Sequence, residues 1–74
     1  MESAPLIERD PEKLGGTPVF FGTRVPIKNL FDYLEAGDNL GVFLDDFPTV
    51  TREQALGVLE ASKKWLLAEY ETAA

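Results

Sequence analysis

Neither cysteine nor histidine occurs in this chain of 74 residues. Their absence excludes disulfide frameworks, zinc fingers, Cys/His nucleophile systems and haem ligation. Cations are scarce as well. Seven Lys and Arg stand against thirteen Asp and Glu, a formal charge of −6, which is the opposite of a nucleic-acid footprint. No apolar run approaches the ~20 residues that a membrane span requires. Met1-Glu2-Ser3-Ala4-Pro5 has no basic segment leading into a hydrophobic one, so no secretory signal is expected and the cytoplasm is the default compartment. At this length the chain is expected to form one domain over 1–74 with flexible ends at 1–5 and 71–74. Its own core is small, and oligomerisation is the usual remedy in a chain without disulfide or metal staples. A homodimer or another protein partner is therefore expected.

What is there falls into two parts, joined by Gly15-Gly16-Thr17-Pro18-Val19-Phe20-Phe21-Gly22-Thr23-Arg24-Val25-Pro26. Residues 6–21 read as a β element. Leu6-Ile7-Glu8-Arg9 and Pro18-Val19-Phe20-Phe21 are short extended runs, separated by the turn residues Asp10-Pro11-Glu12-Lys13. They could form a hairpin within one chain or between two. Such a hairpin is marginal alone and must pack on something. Gly22 supplies a backbone angle closed to other residues.

Residues 26–70 read as helical. Pro26 suits a first helical position. Ile27, Leu30, Phe31 and Leu34 share one helix face, and Gly37 caps its end. Asp38 or Asn39 caps a second helix carrying Leu40, Phe43, Leu44 and Phe47, which Pro48 ends. Thr51-Arg52-Glu53-Gln54 is a capping box opening a third helix to about Tyr70. Ala55, Val58, Leu59, Ser62 and Leu66 form one stripe, and Leu56, Trp65, Leu67 and Tyr70 widen it. The expected fold is mainly α: a three-helix, helix-turn-helix-like core behind a short N-terminal β-hairpin.

Candidate chemistry is thin. Asp45 and Asp46 are adjacent and diverge on a helix, so a Mg²⁺-dependent hydrolase built on them is a minor reading, and Glu8, Asp10 and Glu12 make no dedicated metal site. No nucleophile–base pair stands out, no cofactor or metal is called for, and the chain does not read as an enzyme. Two binding readings remain. The broad apolar surface with its aromatic residues points to a protein interface formed by Phe20, Phe21, Trp65, Leu67 and Tyr70. The helix-turn-helix proportions point to DNA, with Arg52 and Gln54 contacting bases, although Glu53 and Glu60 on the same helix repel phosphate. Gly22, Thr23, Arg24 and Pro26 read as a structural clasp in which Arg24 bonds Asp46 or backbone carbonyls.

The blocks Asp10-Pro11-Glu12, Gly15-Gly16, Pro18-Val19, Gly22-Thr23-Arg24-Val25-Pro26, Leu34-Glu35-Ala36-Gly37 and Phe47-Pro48 resemble the bacterial domain-of-unknown-function family 433, over about Ile7 to Ala61. The resemblance implies an antitoxin-like component of a toxin–antitoxin pair. It also implies a PIN-like nuclease toxin encoded nearby as partner, and binding to operator DNA. The chain departs from the family pattern at Thr17, Phe21 and Gly41, where lysine, arginine and glutamate are frequent. Two cations are thereby lost near the hairpin, which favours a protein partner over DNA.

Overall fold

In the computed structural model, residues 5–71 are described. The order is β1 (Ile7–Glu8), a single 3-10 turn (Leu14–Gly16), β2 (Val19–Phe20), α1 (Ile27–Glu35), α2 (Leu40–Asp46) and α3 (Arg52–Glu71). The three helices and the short antiparallel hairpin are those expected. The tails 1–4 and 72–74 lie outside the described residues. Glu71, expected in the flexible end, is instead the last residue of α3.

The hairpin closes within the chain: Ile7 faces Phe20 and Glu8 faces Val19. On its other side β2 meets the segment leading into α1, through a Val19–Pro26 bridge and a bond from Phe20 N–H to Val25 C=O at 3.0 Å. β2 is thus a central strand. Successive strand residues point to opposite faces, yet Val19 and Phe20 are both fully buried, so both faces of this strand are covered. Phe20 therefore belongs to the chain's own core, which corrects its assignment to an interface.

Between the strands, Lys13 N–H reaches Asp10 C=O at 2.8 Å, and the Asp10 carboxylate accepts from Glu12 N–H at 2.9 Å. That is the turn the Asp-Pro pair calls for. A run of left-handed residues then follows, Leu14 (φ 52°), Gly15 (64°) and Gly16 (87°). Leucine is poorly suited to that region, and nothing in the sequence announces it.

Pro26 sits one position earlier than expected. Its φ of −63° suits a first helical residue, but its ψ of 141° is extended, so it caps α1 from outside. Gly37, at φ 94°, ends α1 in the left-handed conformation. Asn39 caps α2, its side chain accepting from Val42 N–H at 3.0 Å. The capping box of α3 is complete: Gln54 N–H donates to Thr51 Oγ1 and Thr51 N–H to Gln54 Oε1, both at 3.0 Å.

Phe20, Val25, Leu30, Phe43, Val50, Ala55 and Val58 form the core, so the hairpin, all three helices and two connecting segments contribute to it. Its centre is aromatic. Phe43 lies 5.9 Å from Phe20, 5.4 Å from Tyr33 and 5.1 Å from Phe47, ring centre to ring centre, within the range of favourable ring pairs.

Candidate protein-interaction surface

Three features of the surface follow from this frame. The first is the junction between β2 and α1. Thr23 N–H closes a β-turn onto Phe20 C=O at 2.9 Å, with Gly22 at φ 79° in the third position, the angle of a type II turn. The Thr23 hydroxyl is buried and bonded twice, donating to Phe20 C=O at 2.8 Å and accepting from Val25 N–H at 3.0 Å. The Glu8 carboxylate accepts from Gly22 N–H at 3.0 Å and pairs with Lys13 Nζ at 3.2 Å. The Gly22 N–H foremost, and Lys13 after it, hold the Glu8 carboxyl below the ordinary glutamate range. Glu8, Gly22 and Thr23 therefore make the bonds that tie this junction to the hairpin.

Arg24 takes no part in it. Its side chain is exposed and, among the described residues, has no hydrogen-bond or ion-pair partner. The anticipated partner is occupied elsewhere: Asp46 accepts from the Tyr33 hydroxyl at 2.6 Å, a bond that raises the Tyr33 pKa above its ordinary value. The Arg24–Asp46 expectation is thus overturned. A carboxylate in the last turn of α2 is satisfied by a neutral donor from α1 instead of a cation.

The second feature is the start of α3. Beyond its capping role, Gln54 donates from Nε2 to Phe21 C=O at 2.9 Å, which ties α3 to the hairpin. Both ends of the amide thus hold bonds within the chain, which gives Gln54 a structural role at this junction. Gly57, one turn on, is overlain by the hairpin: a Cβ there would stand 2.8 Å from a methyl of Leu6. Arg52 remains exposed, but alone on this face.

The third feature is the far half of α3. Full burial stops at Val58, and every residue from Glu60 to Glu71 lies on the exposed surface. Those twelve residues extend about 18 Å. They carry Trp65, Leu66, Leu67 and Tyr70, exposed at 66, 50, 47 and 73 %. Leu56, Leu59, Lys63, Leu66 and Tyr70 follow one another at alternating three- and four-residue steps, the spacing of a coiled-coil seam. On the neighbouring side, Trp65 walls an apolar groove of about 410 Å³ with Ile7, Ile27, Val58, Ala61 and Ser62. Of the residues expected at an interface, Trp65, Leu67 and Tyr70 all lie on this half of α3, with Leu67 roughly on the other side of the helix from Trp65. Phe21, 47 % exposed, is apart from them, beside Leu6 and Gln54 in a second depression. Leu66 is the member whose place in the core stripe concealed it, because that stripe loses its counterpart after Leu59.

No described helix is long and apolar enough to cross a membrane. Among the described residues there is also no cluster of three or more carboxylates that could hold a metal. A family model described as "Protein of unknown function (DUF433)" matches residues 7–60, ending where burial on α3 ends. Neither the curated proteins nor the solved structures contain a match.

Proposed function

The chain belongs to the DUF433 family, and from that premise we propose that it is an antitoxin-type interaction protein whose far α3 half holds a nuclease-like partner. One observation carries the reading. The far half of α3 exposes Trp65, Leu66, Leu67 and Tyr70 among the charged residues Glu60, Lys63, Lys64, Glu69 and Glu71, four large apolar side chains left largely uncovered by the described residues. Aromatic anchors of this kind dominate protein interfaces. The acidic excess of the chain suits a partner with a basic surface, whose approach it would accelerate. The alternative role of operator binding loses support, since Gln54 and Gly57 are engaged by the hairpin and the net charge repels phosphate.

The test is co-expression with the product of the adjacent gene, followed by light scattering of the purified chain alone and of the mixture. A complex that Trp65→Ser or Tyr70→Ser dissolves, with the chain's own melting temperature unchanged, is the expected result. A chain that stays monomeric in both samples refutes the reading. Retardation of its own upstream DNA at moderate salt, undiminished by those substitutions, would favour the regulator instead.

A further inference from the structure

The loop that follows β2 and the turn between α2 and α3 border an open cleft of about 450 Å³, which shares no lining residue with the groove beside Trp65. It is lined by Lys13, Gly22, Thr23, Arg24, Val25, Pro26, Phe47 and Thr49. We propose that this cleft is a binding site for an oxyanion carried on an apolar body, with the Arg24 guanidinium as its anchor.

The charge inventory makes Arg24 unusual. Arg9 donates to Gly16 C=O. Lys13, Lys28 and Lys63 are paired with Glu8, Asp32 and Glu60. In a chain with nearly two carboxylates per cation, an arginine left unpaired beside a cleft needs a reason. Arg52 and Lys64 are also unpaired, but both stand on exposed helix surface. Arg24 is also presented rigidly. The turn bond from Thr23 N–H, both bonds of the Thr23 hydroxyl and the Glu8 bond to Gly22 N–H fix the backbone on its N-terminal side. The Phe20–Val25 bond and the Val19–Pro26 bridge fix the other side. An anion met there costs the loop little ordering, which is how a preformed site gains affinity.

The rest of the lining names the ligand. The planar fork of arginine matches carboxylate or phosphate oxygens two at a time. The Thr49 hydroxyl, exposed and without a partner among the described residues, offers a further donor. Lys13 lies on the same rim, but its charge is matched by Glu8, so Arg24 is the cation left to meet an anion there. Between them, Val25, Pro26 and the half-buried ring of Phe47 supply an apolar wall. A bare ion would leave that wall wet, and a long polyanion would be repelled by the net charge of −6. The fitting ligand is a single carboxylate or phosphate monoester on an aromatic or aliphatic group, free or at the end of a partner's side chain.

The experiment is amide-resolved NMR titration of the full chain with 3-phenylpropionate, phenyl phosphate and inorganic phosphate, each to concentrations on the order of 10 mM. The expected result is saturable shifts at Gly22, Thr23, Arg24, Val25, Phe47 and Thr49 with the two organic anions, and weaker ones with inorganic phosphate. Whichever organic anion binds more tightly identifies the source of the oxyanion. Arg24→Gln should weaken binding by on the order of tenfold or more, and Arg52→Gln should leave it unchanged. Because the Arg24 side chain makes no bond to any described residue, the Gln variant should melt with the parent, so loss of binding reads the site and not the fold. Absence of localised shifts overturns the proposal, as do shifts that survive Arg24→Gln. Equal binding of inorganic phosphate overturns the apolar half of it. None of these outcomes depends on the α3 interface.

Discussion

Replacing Gln54 by Glu separates two jobs that one side chain performs. In the parent, Gln54 Oε1 accepts from Thr51 N–H and completes the cap of α3, while Nε2 donates to Phe21 C=O and ties that helix to the hairpin. Glutamate keeps the first and cannot make the second when ionised. If only the cap mattered, the variant would equal or exceed the parent, because a negative charge in the first helical turn gains about 0.3–1 kcal/mol from the helix dipole. If the tie matters, the variant loses one hydrogen bond, about 0.5–1.5 kcal/mol net, and sets a carboxylate against a carbonyl oxygen with no proton between them. The second effect outweighs the first, and the expected outcome is a net loss of about 1 kcal/mol. With a urea slope of about 1 kcal/mol per molar for a chain this small, the unfolding midpoint should fall by roughly 1 M. Circular dichroism in urea measures it. The effect has a signature in pH. The carboxylate oxygen that faces Phe21 C=O has no proton to share while the group is ionised, so the ionised form carries the penalty. As pH falls and the carboxyl is protonated it regains a proton to donate to Phe21 C=O, and the gap to the parent should narrow. Gln54→Ala, which removes both bonds but gains helix propensity of a few tenths of a kcal/mol, should fall below the parent at every pH. A Glu variant as stable as the parent at neutral pH would refute the tie as a source of stability.

Gly22→Ala should cost about 1–2 kcal/mol, read as a lowered urea midpoint. At φ 79° the cost is conformational, since a Cβ there meets nothing within 4 Å. The depressed pKa of Glu8 predicts stability that is fully present above the ordinary glutamate pKa. It is lost as pH falls through the lower folded value, and melting temperature against pH should lose this acid limb in Glu8→Gln. Tyr33 has the opposite sign. Its bond to Asp46 raises its pKa, so its contribution is present below the ordinary tyrosine value and lost as pH rises through the raised one. In ultraviolet titration of the two tyrosines, Asp46→Asn should shift one midpoint downward and leave the other in place.

The elements legible in the sequence are those whose determinants are local. Asn39, the Thr51–Gln54 box and Gly37 each act within four residues, and each stands where the pattern put it. Two of the errors came from partners distant in the chain. Phe20 read as exposed because a four-residue apolar strand looks the same at an edge as at a centre, and only pairing with residues on both sides distinguishes them. Gln54 read as a free polar group because its second partner, Phe21, is thirty-three residues away. Pro26 fixes φ but not ψ, so its residue type could not separate the first helical position from the one before it.

Arg24 shows how such an error can carry information. Charge counting alone predicted that an arginine in an acidic chain finds a carboxylate, and thirteen were available. The fold instead gives Asp46 to a tyrosine and Glu8 to a lysine and a backbone amide, and leaves Arg24, on a hydrogen-bonded loop at a cleft, without a partner among the described residues. A surface arginine that merely kept the chain soluble would not need a buried threonine bonded twice under it. The Arg24 side chain also bonds nothing among the described residues, so its guanidinium is not what holds the loop together. The loop beneath Arg24 therefore reads as the scaffold of a site, and the far half of α3 as a separate surface for a larger partner. If both readings hold, substitutions at Arg24 and at Trp65 should act independently, since the cleft and the groove beside Trp65 share no lining residue and effects at separated sites add.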